Sequence, residues 1–159
     1  MSWSSRPSRA LLLVLAAALA PGAAGAQEVR EVQLQGMVIA SRPFFSGGGL
    51  GLAWRDAQRG RWQTLLSAGG LSGGGWGARA DLAWHFLLDP ARPRGSAVYG
   101  GAGMSALAGR GRVTPYALLV LGAENAPGGS GGSFVEIGVG GGVRLTIGYR
   151  WRKRSAPGR

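Results

Sequence analysis

Hydrophobic and polar residues alternate with a period of two along much of the chain, the spacing at which successive side chains of a β-strand point to opposite faces. Between residues 76 and 88, Ala78, Ala80, Leu82, Trp84, Phe86 and Leu88 share one face, while Arg79, Asp81, Ala83 and His85 share the other. One face is apolar and the other charged. The C-terminal run repeats this more cleanly: Val135, Ile137, Val139, Gly141, Val143, Leu145, Ile147, Tyr149 and Trp151 alternate with Phe134, Glu136, Gly138, Gly140, Gly142, Arg144, Thr146, Gly148 and Arg150. Helical spacing cannot generate such a pattern. The run exceeds the about 9–11 residues with which a strand crosses a membrane. Either one strand extends past the bilayer or the chain turns near Gly140–Gly142.

Further strands are expected at residues 31–42, 49–56, 61–69, 96–108 and 112–124. Gly-, Pro- or Arg-rich clusters at 43–48, 57–60, 70–75, 89–95, 109–111 and 125–132 separate them and read as turns. The total is seven or eight strands. Single-chain bacterial barrels use even numbers, so eight is the expected count. After residue 26 no apolar stretch is long enough for a spanning helix.

The N-terminal residues read as an address. Arg6 and Arg9 precede an apolar stretch at 10–20 (ALLLVLAAALA), Pro21–Gly22 breaks it, and Ala24 and Ala26 offer small residues for cleavage before Gln27. The expected organisation is a signal peptide at 1–26, a barrel at 27–152 and a basic tail at 153–159. Sharing residues 27–159 among eight strands leaves about 16 residues each, enough for a membrane-height strand and a short turn.

Composition narrows the choice. The 31 glycines follow no three-residue period, which excludes a collagen-like chain. The absence of cysteine excludes disulfides, thiolate metal sites and a cysteine nucleophile. A formal charge of +11 would suit nucleic acid, but the basic residues are scattered near turns and no nucleic-acid partner is expected. The one dense run, Arg150, Arg152, Lys153 and Arg154, could lie against anionic lipid headgroups.

With the signal peptide, the alternating segments and the closing VRLTIGYRW in hand, residues 31–152 resemble the small bacterial outer-membrane β-barrel proteins, the class of the OmpA transmembrane domain and OmpX. The resemblance is one of pattern. It implies an all-β, antiparallel up-and-down transmembrane barrel located in the outer membrane, in contact with outer-membrane lipid and inserted by the barrel-assembly machinery. Tyr149 and Trp151 look like the aromatic ending which that machinery reads, although eight residues follow Trp151 here. The pattern specifies no oligomeric state.

Within such a barrel Trp54, Trp62, Trp84, Tyr116, Tyr149 and Trp151 are expected to form interfacial belts, since amphipathic rings favour the headgroup region. Arg79, Asp81, His85, Glu136 and Arg144 are expected to form a polar cluster in a non-conducting lumen, because an eight-stranded interior is just wide enough for side chains. The function expected is structural, or surface interaction through loops. Two alternatives stand beside it. His85, the only histidine, could serve a lipid-modifying enzyme, although no serine is marked by a nucleophile motif. The opposite choice of inner face would give a secreted soluble barrel binding a small apolar ligand. No catalytic residue is assigned. One histidine, no cysteine and dispersed acids supply no metal site, and no cofactor is expected.

Overall fold

A computed structural model describes residues 29–56 and 59–154. The segment expected to be a signal peptide lies outside them. Eight strands follow one another in chain order: β1 Val29–Ala40, β2 Phe45–Arg55, β3 Gly60–Leu71, β4 Trp76–Leu87, β5 Ser96–Gly109, β6 Arg112–Asn125, β7 Gly131–Val139 and β8 Val143–Arg154. Each pairs antiparallel with the next, and β1 pairs with β8, so the sheet closes into an up-and-down barrel. Closure removes the two free edges of the sheet, the condition under which a sheet can stand in lipid, although β6 extends beyond the end of β7 from Arg112 to Leu118.

The C-terminal run is two strands. Gly140, Gly141 and Gly142 make the turn, and the positive φ of Gly141 (77°) and Gly142 (145°) is backbone that a Cβ would oppose. β8 continues to Arg154, two residues beyond the barrel end expected from the sequence, with Lys153 opposite Arg30 and Arg154 opposite Val29.

Residues 43–48 are not all turn, as their glycines suggest. β2 begins at Phe45, and Gly47 pairs with Gly69 of β3. A Cβ on Gly47 would meet the Ala68 carbonyl and one on Gly49 would meet Ser67 and the Leu66 carbonyl, so these glycines permit close strand approach across a narrow barrel.

The choice of inner face is settled by burial. Leu50, Leu66, Leu121, Ile137 and Ile147 are exposed, whereas Arg61, Arg144 and Arg150 are among the most buried side chains. That inverts a soluble barrel. An apolar ligand would find a charged interior, and the outer wall, left in water, would carry a continuous apolar surface far beyond what soluble proteins tolerate. In hydrocarbon the same surface is the stable arrangement.

At one end of the barrel the turns span residues 41–44, 72–75, 110–111 and 140–142. The other end holds both termini of the barrel and its longer connections, 88–95 and 126–130.

Candidate functional site

Period-two alternation sends every second side chain of all eight strands into the lumen, and many of these are ionisable. Six arginines are buried there (Arg55, Arg61, Arg79, Arg144, Arg150, Arg152) against four acids (Glu31, Asp81, Glu124, Glu136). An isolated buried charge is severely disfavoured, so the geometry of pairing decides whether this interior is tolerable.

The network has two centres. Near the terminal end, Glu124 accepts hydrogen bonds from four guanidiniums: Arg61 at 2.8 Å, Arg150 at 2.7 Å, Arg55 at 3.1 Å and Arg152 at 3.2 Å. Glu31 lies against Arg55, with Arg152 at 3.4 Å and Arg61 at 3.5 Å. Toward the short-turn end, Asp81 accepts from Arg79 at 3.0 Å, from Arg144 at 2.9 Å and from the Ser105 hydroxyl. Glu136 joins the centres, accepting from Tyr99 at 2.9 Å and Arg150 at 3.0 Å, with Arg144 at 3.8 Å.

Arginines outnumber acids by two, and the surplus donors find neutral acceptors. Arg79 donates to the Gly140 carbonyl at 2.6 Å and Arg55 to the Pro127 carbonyl at 2.9 Å. Arg150 donates to Gln33 at 2.9 Å and its guanidinium lies 3.8 Å from the Phe134 ring centroid. Arg61 sits 4.6 Å over the Tyr99 ring. Desolvated cations over aromatic faces recover part of the hydration they lose.

Each end of this charged column is covered. Met37, Ile39, Phe45, Leu65 and Leu71 form an apolar cluster inside the short-turn end, with Leu107 against it. At the terminal end the 88–95 and 126–130 connections bond to each other, Gly128 N donating to the Arg92 carbonyl at 2.7 Å and Ala126 N to the Gly95 carbonyl at 2.8 Å. Lumen arginines hold this lid from below, Arg55 through Pro127 and Arg152 through the Ala126 carbonyl at 3.0 Å.

The five residues expected in the lumen are all inside it. Arg79, Asp81, Arg144 and Glu136 are joined as above, whereas His85 belongs to the other centre. Its ring stacks on Tyr99 (centroids 5.2 Å apart), and its Nδ1 accepts from Arg61 at 3.0 Å. The Nε2 of this fully buried ring has no hydrogen-bond partner. A hydrolytic histidine needs a carboxylate on one nitrogen and a nucleophile on the other. Here a cation occupies the first position.

Sequence reasoning missed the larger part of the network. Glu31, Gln33 and Gln35 alternate with Val32 and Leu34 and would have been found by the parity test applied to β4. Arg150 and Arg152 also read as part of a basic run against lipid headgroups. Their even numbers place them beside Arg144 and Thr146 on the inner face of β8, leaving Lys153 outside.

Five of the six expected belt aromatics face outward. Trp54 is opposite Trp62 and Trp62 opposite Trp84 across three adjacent strands, and Tyr149 and Trp151 stand in contact on β8, with ring centroids 5.0 Å apart. Trp54, Trp62, Trp84 and Trp151 lie toward the terminal end, and Tyr149 stands midway along β8. Tyr116 is the exception: it shares the inward parity of Leu118 and Val120, and Arg79 lies 5.9 Å from its ring centroid. Trp76, 80% exposed, is the outward tryptophan at the short-turn end. Among the described residues no group of three His, Cys, Asp or Glu could hold a metal ion.

No protein-family model matches the sequence, and no curated protein is similar to it. Solved structures do match. The N-terminal β-barrel domain of Pseudomonas aeruginosa OprF superimposes with a TM-score of 0.62 at 13% identity, covering 82% of this chain and all of that domain. Neisserial surface protein A (NspA) superimposes with a TM-score of 0.56 at 13% identity, covering 82% of this chain and 99% of that one. The likeness to small outer-membrane barrels, a matter of pattern in the sequence, is thus a likeness of fold along the whole described barrel.

Proposed function

We propose that this chain is a non-conducting structural barrel of the bacterial outer membrane, exported by its N-terminal segment and contributing to the integrity of the envelope. One observation carries the reading: the lumen is filled by cross-strand arginine–carboxylate contacts, and both ends are covered. A column of paired side chains in an eight-stranded barrel leaves no continuous water path. The apolar outer wall, with its row of tryptophans and tyrosine, supports residence in a bilayer, and the fold shared with outer-membrane proteins supports which one. Surface adhesion through loops finds less support, because the connections at the short-turn end are two to four residues long and the 88–95 and 126–130 connections at the other end bond to each other over the lumen.

Planar-bilayer recording on the refolded protein tests the closed lumen. Insertion without stepwise conductance is expected, and regular open-channel steps in the wild type would overturn the reading. A strain lacking the protein is expected to admit bulky antibiotics and detergents more readily. Re-expression of wild type should reverse that phenotype, and a null strain with an unchanged barrier would remove the structural role.

A further inference from the structure

A cavity of about 200 Å³ opens at the short-turn end between β3, β5, β6 and the β1–β2 turn. Leu71 and Leu107 form its apolar floor, Tyr116 one wall, and Arg42, Arg110 and Arg112 its rim. All three rim arginines are exposed. Arg110 is held in place by donating to the Ser72 carbonyl at 2.6 Å. The side chains of Arg42 and Arg112 make no hydrogen bond or ion pair among the described residues.

The charge imbalance here is local. Of the described acids, Glu31, Asp56, Asp89 and Glu124 lie toward the terminal end, and Asp81 and Glu136 are engaged inside the lumen. Three arginines therefore line one small cavity with no carboxylate in its lining, and an anion from outside the chain would offset their like charge. Guanidinium forks favour phosphate, which they can grip with paired hydrogen bonds.

Height decides where that phosphate comes from. The strands are about as long as a bilayer crossing requires, and Arg42 and Arg110 stand on turns of only four and two residues, so the rim lies at the level of lipid headgroups rather than above them. The cavity is smaller than a drug-sized pocket, room for a headgroup but not for a whole amphiphile. Exposed Trp76 and Val113, on the outer wall next to this rim, offer an apolar surface along which an acyl chain can lie.

We propose that this rim binds a membrane lipid with a phosphomonoester headgroup, the phosphate held among Arg42, Arg110 and Arg112 and the group behind it resting on Leu71, Leu107 and Tyr116. Three cations suit the nearly doubly charged monoester better than a singly charged diester. The inference rests on the membrane-embedded reading, whereas the conductance experiment above tests the closed lumen, so each can fail without the other.

Native mass spectrometry of the detergent-solubilised full chain tests it, titrating phosphatidic acid, phosphatidylglycerol and phosphatidylcholine separately. Phosphatidic acid should be retained at a concentration at least about tenfold below the other two, from the differential strength of charge-assisted hydrogen bonds. The double variant Arg42→Gln/Arg112→Gln should lose that preference, and Lys153→Gln, at the opposite end, should keep it. Heat-dependent gel mobility checks that each variant is folded; if the double variant is not, Arg112→Gln alone carries the comparison. Equal retention of the three lipids, or equal loss in Lys153→Gln, overturns the site. Displacement of phosphatidic acid by equimolar inorganic phosphate overturns the lipid as its source and leaves a free-anion site.

Discussion

Glu124→Gln removes one negative charge from the point where four guanidiniums meet, at 2.7, 2.8, 3.1 and 3.2 Å, and changes the side-chain volume hardly at all. The buried account then stands at six arginines against three acids, and the new amide nitrogen points a donor at groups that are themselves only donors. Breaking one partner of a buried pair costs about 3–5 kcal/mol, because the remaining charge is left uncompensated. Four arginines share this carboxylate, so the upper half of that range is expected. With a urea slope of roughly 1–3 kcal/mol per molar, the midpoint should fall by at least about 1 M. The measurement is urea unfolding of the reconstituted protein, followed by tryptophan fluorescence and by loss of the compact gel form. Asp89→Asn is the internal control, since the Asp89–Arg92 pair at 2.8 Å leaves both side chains about half exposed and should contribute under about 1 kcal/mol. Equal midpoints for the two variants would refute the idea that the lumen network holds the barrel together.

Three other perturbations follow from the same geometry. Leu66→Arg, on the outer wall midway along β3, should cost about 2–4 kcal/mol in vesicles, against about 0–1 for Trp76→Arg near the rim; urea titration of both checks the depth dependence. Gly122→Ala places a Cβ against the Tyr99 ring and should cost about 1–3 kcal/mol in the same titration, by pushing Tyr99 off Glu136 and Arg150. In single-tryptophan variants, Trp54, Trp62, Trp84 and Trp151 should all be quenched most strongly by lipids brominated near the headgroup, and a mid-chain maximum for any of them would remove it from the belt.

The fold was largely legible because a strand crossing a bilayer must alternate, and alternation survives in the sequence however little else does. β4 and β8 show it most clearly, and parity alone puts Arg79, Asp81 and His85 on one face. Glycine was harder to read. In 43–48 it resembles a turn but serves strand contact, whereas at Gly140–Gly142 it does turn the chain. The difference lies in what faces each residue across the sheet, Gly69 in one case and nothing but the hairpin end in the other, which local sequence does not record. Nor could parity alone choose the inner face. Charged faces belong outside in water and inside in lipid, so the same pattern describes two inverted barrels. The lumen network is underestimated from sequence because the residues missed come mostly from β1, β2, β3, β6 and β8, and only closure of β1 on β8 brings Glu31 to Arg152 and Gln33 to Arg150. Tyr116 was misplaced by residue type, which suited a belt, against its parity, which did not.

The most direct test exploits the absence of cysteine, which lets single cysteines be introduced without a background. Cysteines placed one at a time from residue 78 to 86 of β4, spin-labelled and reconstituted in vesicles, report collision rates with oxygen dissolved in lipid and with a water-soluble nickel complex. Positions 78, 80, 82, 84 and 86 should respond to oxygen, and 79, 81, 83 and 85 should be shielded from both reagents. Nickel access at the odd positions would mean an open, water-filled lumen, and oxygen access there in place of the even positions would mean a barrel built inside out.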